Sequence, residues 1–110
     1  MDRDKLRKRY LQDEWPIQVG NLASTLARLS SRAQDARYDQ VVADLLHEGE
    51  LLMEWCAPNV PLDLAADLAM MQRELVLWCR MWPNEGARSL LAFRTQQMAD
   101  RLLEAGGFYG

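Results

Sequence analysis

The chain has 110 residues, of which 49% are apolar and 26% charged, with a net charge of −3. That length suits one domain, 1–110, able to bury a core without disulfide or metal staples. No apolar run reaches the roughly 18–20 residues that span a bilayer, and the charged N-terminus lacks the apolar middle of a secretory signal. A cytoplasmic protein is expected, and its acidic balance argues against a nucleic-acid surface.

The charge is segregated along the chain. Residues 1–9 carry Arg3, Lys5, Arg7, Lys8 and Arg9 against Asp2 and Asp4, and predict a short basic helix within 1–14. Residues 39–67 hold seven acids and no Lys or Arg. The basic segment is read in three ways: as a solvated face, as a counterpart to the acidic segment, or as a contact for phosphate or anionic lipid.

The next helix covers 16–35 and opens at Pro16, whose missing N–H costs nothing in a first turn. Trp15, Val19, Leu22, Leu26, Leu29 and Ala33 recur at spacings of 4 and 3, a narrow coiled-coil stripe. Gly20 permits a close helix approach. A helix over 39–57 follows, with Asp39 as N-cap and Pro58 as stop. Tyr38, Val42, Leu45, Gly49, Leu52 and Cys56 repeat the spacing, widened by Val41 and Met53. No Pro or Gly marks residues 34–38, yet one helix across 16–57 would put Val42 about 180° from Ala33. A turn near residue 36 explains that change of phase. The alternative is one long helix with two apolar faces, dimerising through one of them.

The helix over 62–82 carries the stripe Leu64, Leu68, Met71, Leu75, Trp78 and Trp82. Met70, Leu77 and Met81 fall outside it and make a second apolar side. The last helix, 84–105, is capped by Asn84, faces Ala87, Leu90, Leu91, Met98, Leu102 and Ala105 inward, and ends at Gly106 as C′. Residues 107–110 form a flexible tail carrying Phe108 and Tyr109. The expected fold is all-α: an antiparallel up-down four-helix bundle over 15–106 with a short basic N-terminal helix.

Catalytic and cofactor patterns are sought without result. A di-metal bundle needs Glu-x-x-His pairs, but His47 is the single histidine and falls on the polar side of its helix. Two cysteines, Cys56 and Cys79, supply no zinc pairing, and the helical rise separates them by roughly 25 Å, too far for a disulfide. Ser30 and Ser31 have no base beside them, and no glycine-rich phosphate loop is present. No catalytic, cofactor or metal residue is assigned.

Two features remain. Arg94 falls about 20° from Ala87 within the last stripe. Its guanidinium lies at the core rim, or is buried against Glu48 or Glu74. The surplus apolar residues Met70, Leu77 and Met81 are either covered by the N-terminal helix through Leu6 and Tyr10 or exposed as an interface, with Phe108 and Tyr109 added by the tail. The expected function is a non-enzymatic protein–protein interaction module, an adaptor, regulator or assembly factor acting through helix faces on another protein or on itself as a homodimer. The alternative is a small-ligand or cofactor binder with a pocket near Arg94 and the Trp-rich helix ends.

Overall fold

The computed structural model describes residues 2–108. Five α-helices follow in order: α1 Arg3–Leu11, α2 Trp15–Arg32, α3 Asp39–Cys56, α4 Leu62–Met81 and α5 Arg88–Ala105. There is no strand among the described residues. Helices α2 to α5 form an antiparallel four-helix bundle, and α1 lies on α3. None of the helices is long and apolar enough to cross a membrane.

Local chemistry sets the helix ends. Asp2 caps α1 by accepting from the amides of Asp4 and Lys5, and Lys8 and Arg9 sit in the last turn, where the helix dipole favours cations. Pro16 occupies the first turn of α2. The 34–38 segment is a turn, so α2 and α3 are separate helices. Asp39 is the first residue of α3 and not its cap, and Asn84 caps the 3-10 turn that leads into α5 and not α5 itself. A single 3-10 turn precedes α3 (Ala36–Tyr38) and another precedes α5 (Glu85–Ala87). These turns are capped by Asp35, which accepts from the Arg37 amide, and by Asn84, which accepts from the Gly86 amide. Asp39 is thereby freed for a tertiary contact.

The last helix ends at Ala105, as the glycine pattern suggests, but its closing glycine is Gly107 and not Gly106. Gly106 keeps a right-handed backbone, and Gly107 takes φ +82°, a region that favours glycine. The amides of Gly107 and Phe108 donate to the carbonyls of Glu104 and Leu103, a Schellman closure. That closure folds Phe108 back onto α2, where a β-carbon on Gly20 would lie 2.7 Å from its ring.

The core is built from the expected stripes with shifts of face. Val19, Leu22, Leu26 and Leu29 of α2 are fully buried, as are Val42 and Leu46 of α3 and Leu75 of α4. On α3 Leu46 replaces Leu45 as the inward residue, and Val41 is exposed. On α5 the buried face is Leu91, Ala92, Thr95, Met98, Ala99 and Leu102, so Leu90 turns outward. Thr95 is tolerated inside because its hydroxyl donates to the Leu91 carbonyl at 2.8 Å.

Side-chain size decides which helices meet. The buried face of α5 carries Ala92, Thr95 and Ala99, and α2 presents Ala23 and Ser30. Their backbones approach closely enough for the Ser30 hydroxyl to donate to the Ala92 carbonyl at 2.6 Å. Ser30, in the last turn of α2, is thus half-buried and engaged across the helix pair. Helix α4 carries Leu68, Leu75 and Trp78 inward instead, and its backbone stays apart from α5. The bundle is closed on three sides and left open between α4 and α5.

A buried polar knot ties the N-terminal end. The Tyr10 hydroxyl donates to the Gln18 carbonyl at 2.7 Å, and the Gln18 amide donates to the Asp13 carbonyl at 2.8 Å. Asn59, between α3 and α4, donates to Gln18 Oε1. Burial, with Cys56 nearby, raises the Tyr10 phenol far above its ordinary value.

Gly49 tests the closeness of α3 to the core. A β-carbon there would lie 3.1 Å from a terminal methyl of Leu75. Gly49→Ala gains about 1 kcal/mol of helix propensity against a small readjustment and is expected to be near neutral. Gly49→Leu overpacks the site and is expected to cost about 1–3 kcal/mol in urea unfolding. Equal stability of the two variants would contradict this packing.

Candidate functional site

The open side of the bundle is a groove. On α4, Met70, Glu74, Leu77 and Met81 recur at spacings of 4, 3 and 4, so one face presents them all. On α5, Leu90, Arg94, Gln97 and Arg101 repeat the same spacing. One half of the groove is ionic. Arg94 holds Glu74 through Nε and Nη2, the shortest contact being 2.7 Å, and Arg101 pairs with Asp67 at 2.8 Å. The two pairs lie seven residues apart on each helix, which sets the antiparallel register. The other half is apolar: a cavity of about 360 Å³ lined by Leu77, Trp78, Met81, Ala87 and Leu90, with Glu74 and Arg94 at its inner end.

The surplus apolar residues of α4 are uncovered. Met70 is 65% exposed, Leu77 55%, Met81 47% and Leu90 53%. Helix α1 does not cover them. Leu6 is half-buried and Tyr10 buried on the α3 side, where clefts between α1 and α3 also hold Arg3, Arg9, Asp44 and Glu48. The basic segment thus lies along the acidic helix of its own chain. Phe108 is half-exposed but belongs to the α2–α5 side beside Gly20, away from Met70, Leu77 and Met81. Tyr109 lies outside the described residues.

Arg94 is a rim residue whose side chain is 40% exposed. Its partner is Glu74, and its Nη1 donates to Gln97. Glu48 faces elsewhere: it accepts from the Thr25 hydroxyl at 3.2 Å and lies 3.8 Å from Arg28. The Arg94 hydrogen bond holds the Glu74 carboxyl below its ordinary range.

The buried guanidinium of this fold is Arg88, which the helical stripes do not single out. Its side chain is 8% exposed. It sits on the first turn of α5 and uses all five N–H donors. Nη1 reaches Asp39 Oδ1 at 2.7 Å and the Ala33 carbonyl at 3.2 Å, and Nη2 reaches Asp39 Oδ2 and Glu85 Oε1. Nε completes the set on Glu85. The guanidinium lies 5.0 Å from the centre of a Trp82 ring, and the Trp82 indole donates to the Asp39 carbonyl. The signal that could have found it is placement: Asp39 and Arg88 fall near the starts of two helices at the same end of an up-down bundle.

A third group assembles across α3 and α4. His47, Glu50 and Cys79 bring one imidazole nitrogen, one carboxylate oxygen and one thiol within 4.8 Å of each other. His47 is exposed, whereas Glu50 and Cys79 are half-buried. Burial, and the Glu50 charge after it, raises the Cys79 thiol above its ordinary value. Both cysteines are free thiols.

No protein-family model, curated protein or solved structure matches the chain.

The Arg88 hydrogen bonds lower the Asp39 and Glu85 carboxyls below their ordinary values. A carboxyl lowered on folding stabilises the native state above its unfolded value, and that contribution is lost as the pH falls through the folded value. Asp39→Asn is therefore expected to be less stable than the parent at neutral pH. The difference should close as the pH is taken well below 3.8, the ordinary Asp value. A difference in urea midpoint that stays constant with pH would count against the Asp39–Arg88 pair.

Proposed function

We propose that the chain is a non-catalytic protein–protein interaction module, an adaptor or assembly factor, and that the α4–α5 groove receives an amphipathic helix of a partner protein. The observation that carries this reading is the groove itself. Two antiparallel helices stand apart, three large apolar side chains (Leu77, Met81 and Leu90) are exposed along the trough, and Trp78 forms its floor. Exposed apolar surface concentrated in one trough on a small domain marks a contact site. A trough between two helices suits a third helix, whose anchors at i, i+3, i+4 and i+7 would follow its length.

The ionic half of the groove supports the same reading. Arg94–Glu74 and Arg101–Asp67 are already paired, so that end adds register and specificity more than affinity. The apolar end supplies the anchoring surface. A small-ligand pocket near Arg94 has less support, because Glu74 and Gln97 between them engage Nε, Nη1 and Nη2 of its guanidinium.

The test is selection of helix-forming peptides from a randomised library on the purified protein, followed by titration of the Trp emission. Selected peptides are expected to carry apolar residues at i, i+3 or i+4 and i+7. Leu77→Asp, with unchanged circular dichroism, is expected to weaken them by about 30-fold or more, as loss of a central anchor worth about 2 kcal/mol does. Selection that converges on peptides indifferent to Leu77→Asp overturns the assignment of the groove. A concentration-dependent dimer abolished by Leu77→Asp would give the groove to a second copy and overturn the partner helix.

A further inference from the structure

We propose that His47, Glu50 and Cys79 form a site for a single divalent cation of borderline softness, zinc foremost, held across α3 and α4. The site is independent of the α4–α5 groove, since it uses the opposite flank of α4. His47 and Glu50 stand three residues apart on α3 and share a face. Cys79, on the antiparallel α4, completes the group, with the three donor atoms within 4.8 Å of one another. Around a tetrahedral zinc such atoms stand about 3.3–3.6 Å apart. Side-chain rotation in the three residues, His47 being the exposed one, is what the site requires to close to that spacing.

The donor set selects the ion. Thiolate and imidazole disfavour magnesium and calcium, which take oxygen ligands, and suit zinc or its spectroscopic substitute cobalt. Three protein ligands leave a fourth position for water. The setting favours a cation: residues 39–67 carry seven acids and no Lys or Arg, and Asp44 and Glu48 stand beside His47 in the cleft toward α1. Arg3 lines that same cleft and opposes the effect. Binding is charge-balanced. The Cys79 thiol gives up its proton to the buffer, its sulfur bonds the metal, and His47 and Glu50 bind as neutral imidazole and carboxylate. No redox partner is required.

The experiment titrates zinc chloride, and separately cobalt chloride, into the metal-stripped protein. One ion per chain is expected, with about one proton released for each. The cobalt form should show a thiolate-to-cobalt charge-transfer band and the intense visible bands of four-coordination. Cys79→Ser should abolish the charge-transfer band. Cys79→Ser, His47→Gln and Glu50→Gln should each weaken zinc by at least the ~10–100-fold that an outer-shell partner is worth. The control Cys56→Ser, in the core away from the site, should retain the band and the stoichiometry. A large excess of magnesium should displace nothing.

The site is overturned by no saturable binding, by a cobalt spectrum without the thiolate band in the parent protein, or by zinc affinity indifferent to Cys79→Ser. Loss of binding in His47→Gln alone, with Glu50→Gln and Cys79→Ser unaffected, reduces the site to a solitary surface histidine and overturns it as well. The parent protein's cobalt spectrum decides the matter even if a variant fails to fold.

Discussion

The bundle's closed end depends on a guanidinium taken out of water. Arg88 can be buried only if every N–H finds an acceptor, and the acceptors come from different parts of the chain. The end of α2 gives the Ala33 carbonyl, the start of α3 gives Asp39, and the turn into α5 gives Glu85. Trp82, just past α4, covers the cation and binds the Asp39 carbonyl. All four bundle helices are therefore indexed at one point. Removing one partner of so buried an ion pair would leave the other charge uncompensated.

At the opposite end the Tyr10–Gln18–Asn59 knot plays a comparable part with neutral groups. It links the basic N-terminal helix and the turn after α3 to the first turn of α2. Between the two knots, packing is left to side-chain volume. Small residues draw α2 and α5 together, and large ones hold α4 off α5. The groove is thus a consequence of core composition. It leaves Leu77, Leu90, Met70 and Met81 exposed to solvent.

The two proposed surfaces use opposite flanks of α4. One flank presents Leu77 and Met81 to the groove, and the other presents Cys79 to His47 and Glu50. A cation on the second flank would tie α4 to α3, the neighbour it already packs against, and leave the groove open toward α5. Metal would then stiffen one wall of the groove without occupying it.

The number, order and approximate ends of the helices were legible from sequence because hydrophobic period and proline placement are local properties. The turn near residue 36 was legible from a change of phase, with no turn residue to mark it. The exposure of Met70, Leu77 and Met81 was half legible: their stripe was plain, but whether α1 covered it was not, since that depends on which helix α1 packs against. Arg94 drew attention because it falls inside a stripe counted from Ala87. In the fold the buried face of α5 runs through Leu91, Thr95 and Met98, so Arg94 comes to the rim and Arg88 goes inside. A rotation of one helix by a fraction of a turn reverses such assignments, and periodicity alone does not resolve it. Likewise His47 and Cys79 stand 32 positions apart in the chain, and no spacing rule joins them. Sequence determined which faces were apolar, because that follows from composition repeated along each helix. Tertiary structure decided which polar groups met, because that follows from how the helices are rotated and spaced, and those are set by the sum of many side-chain volumes.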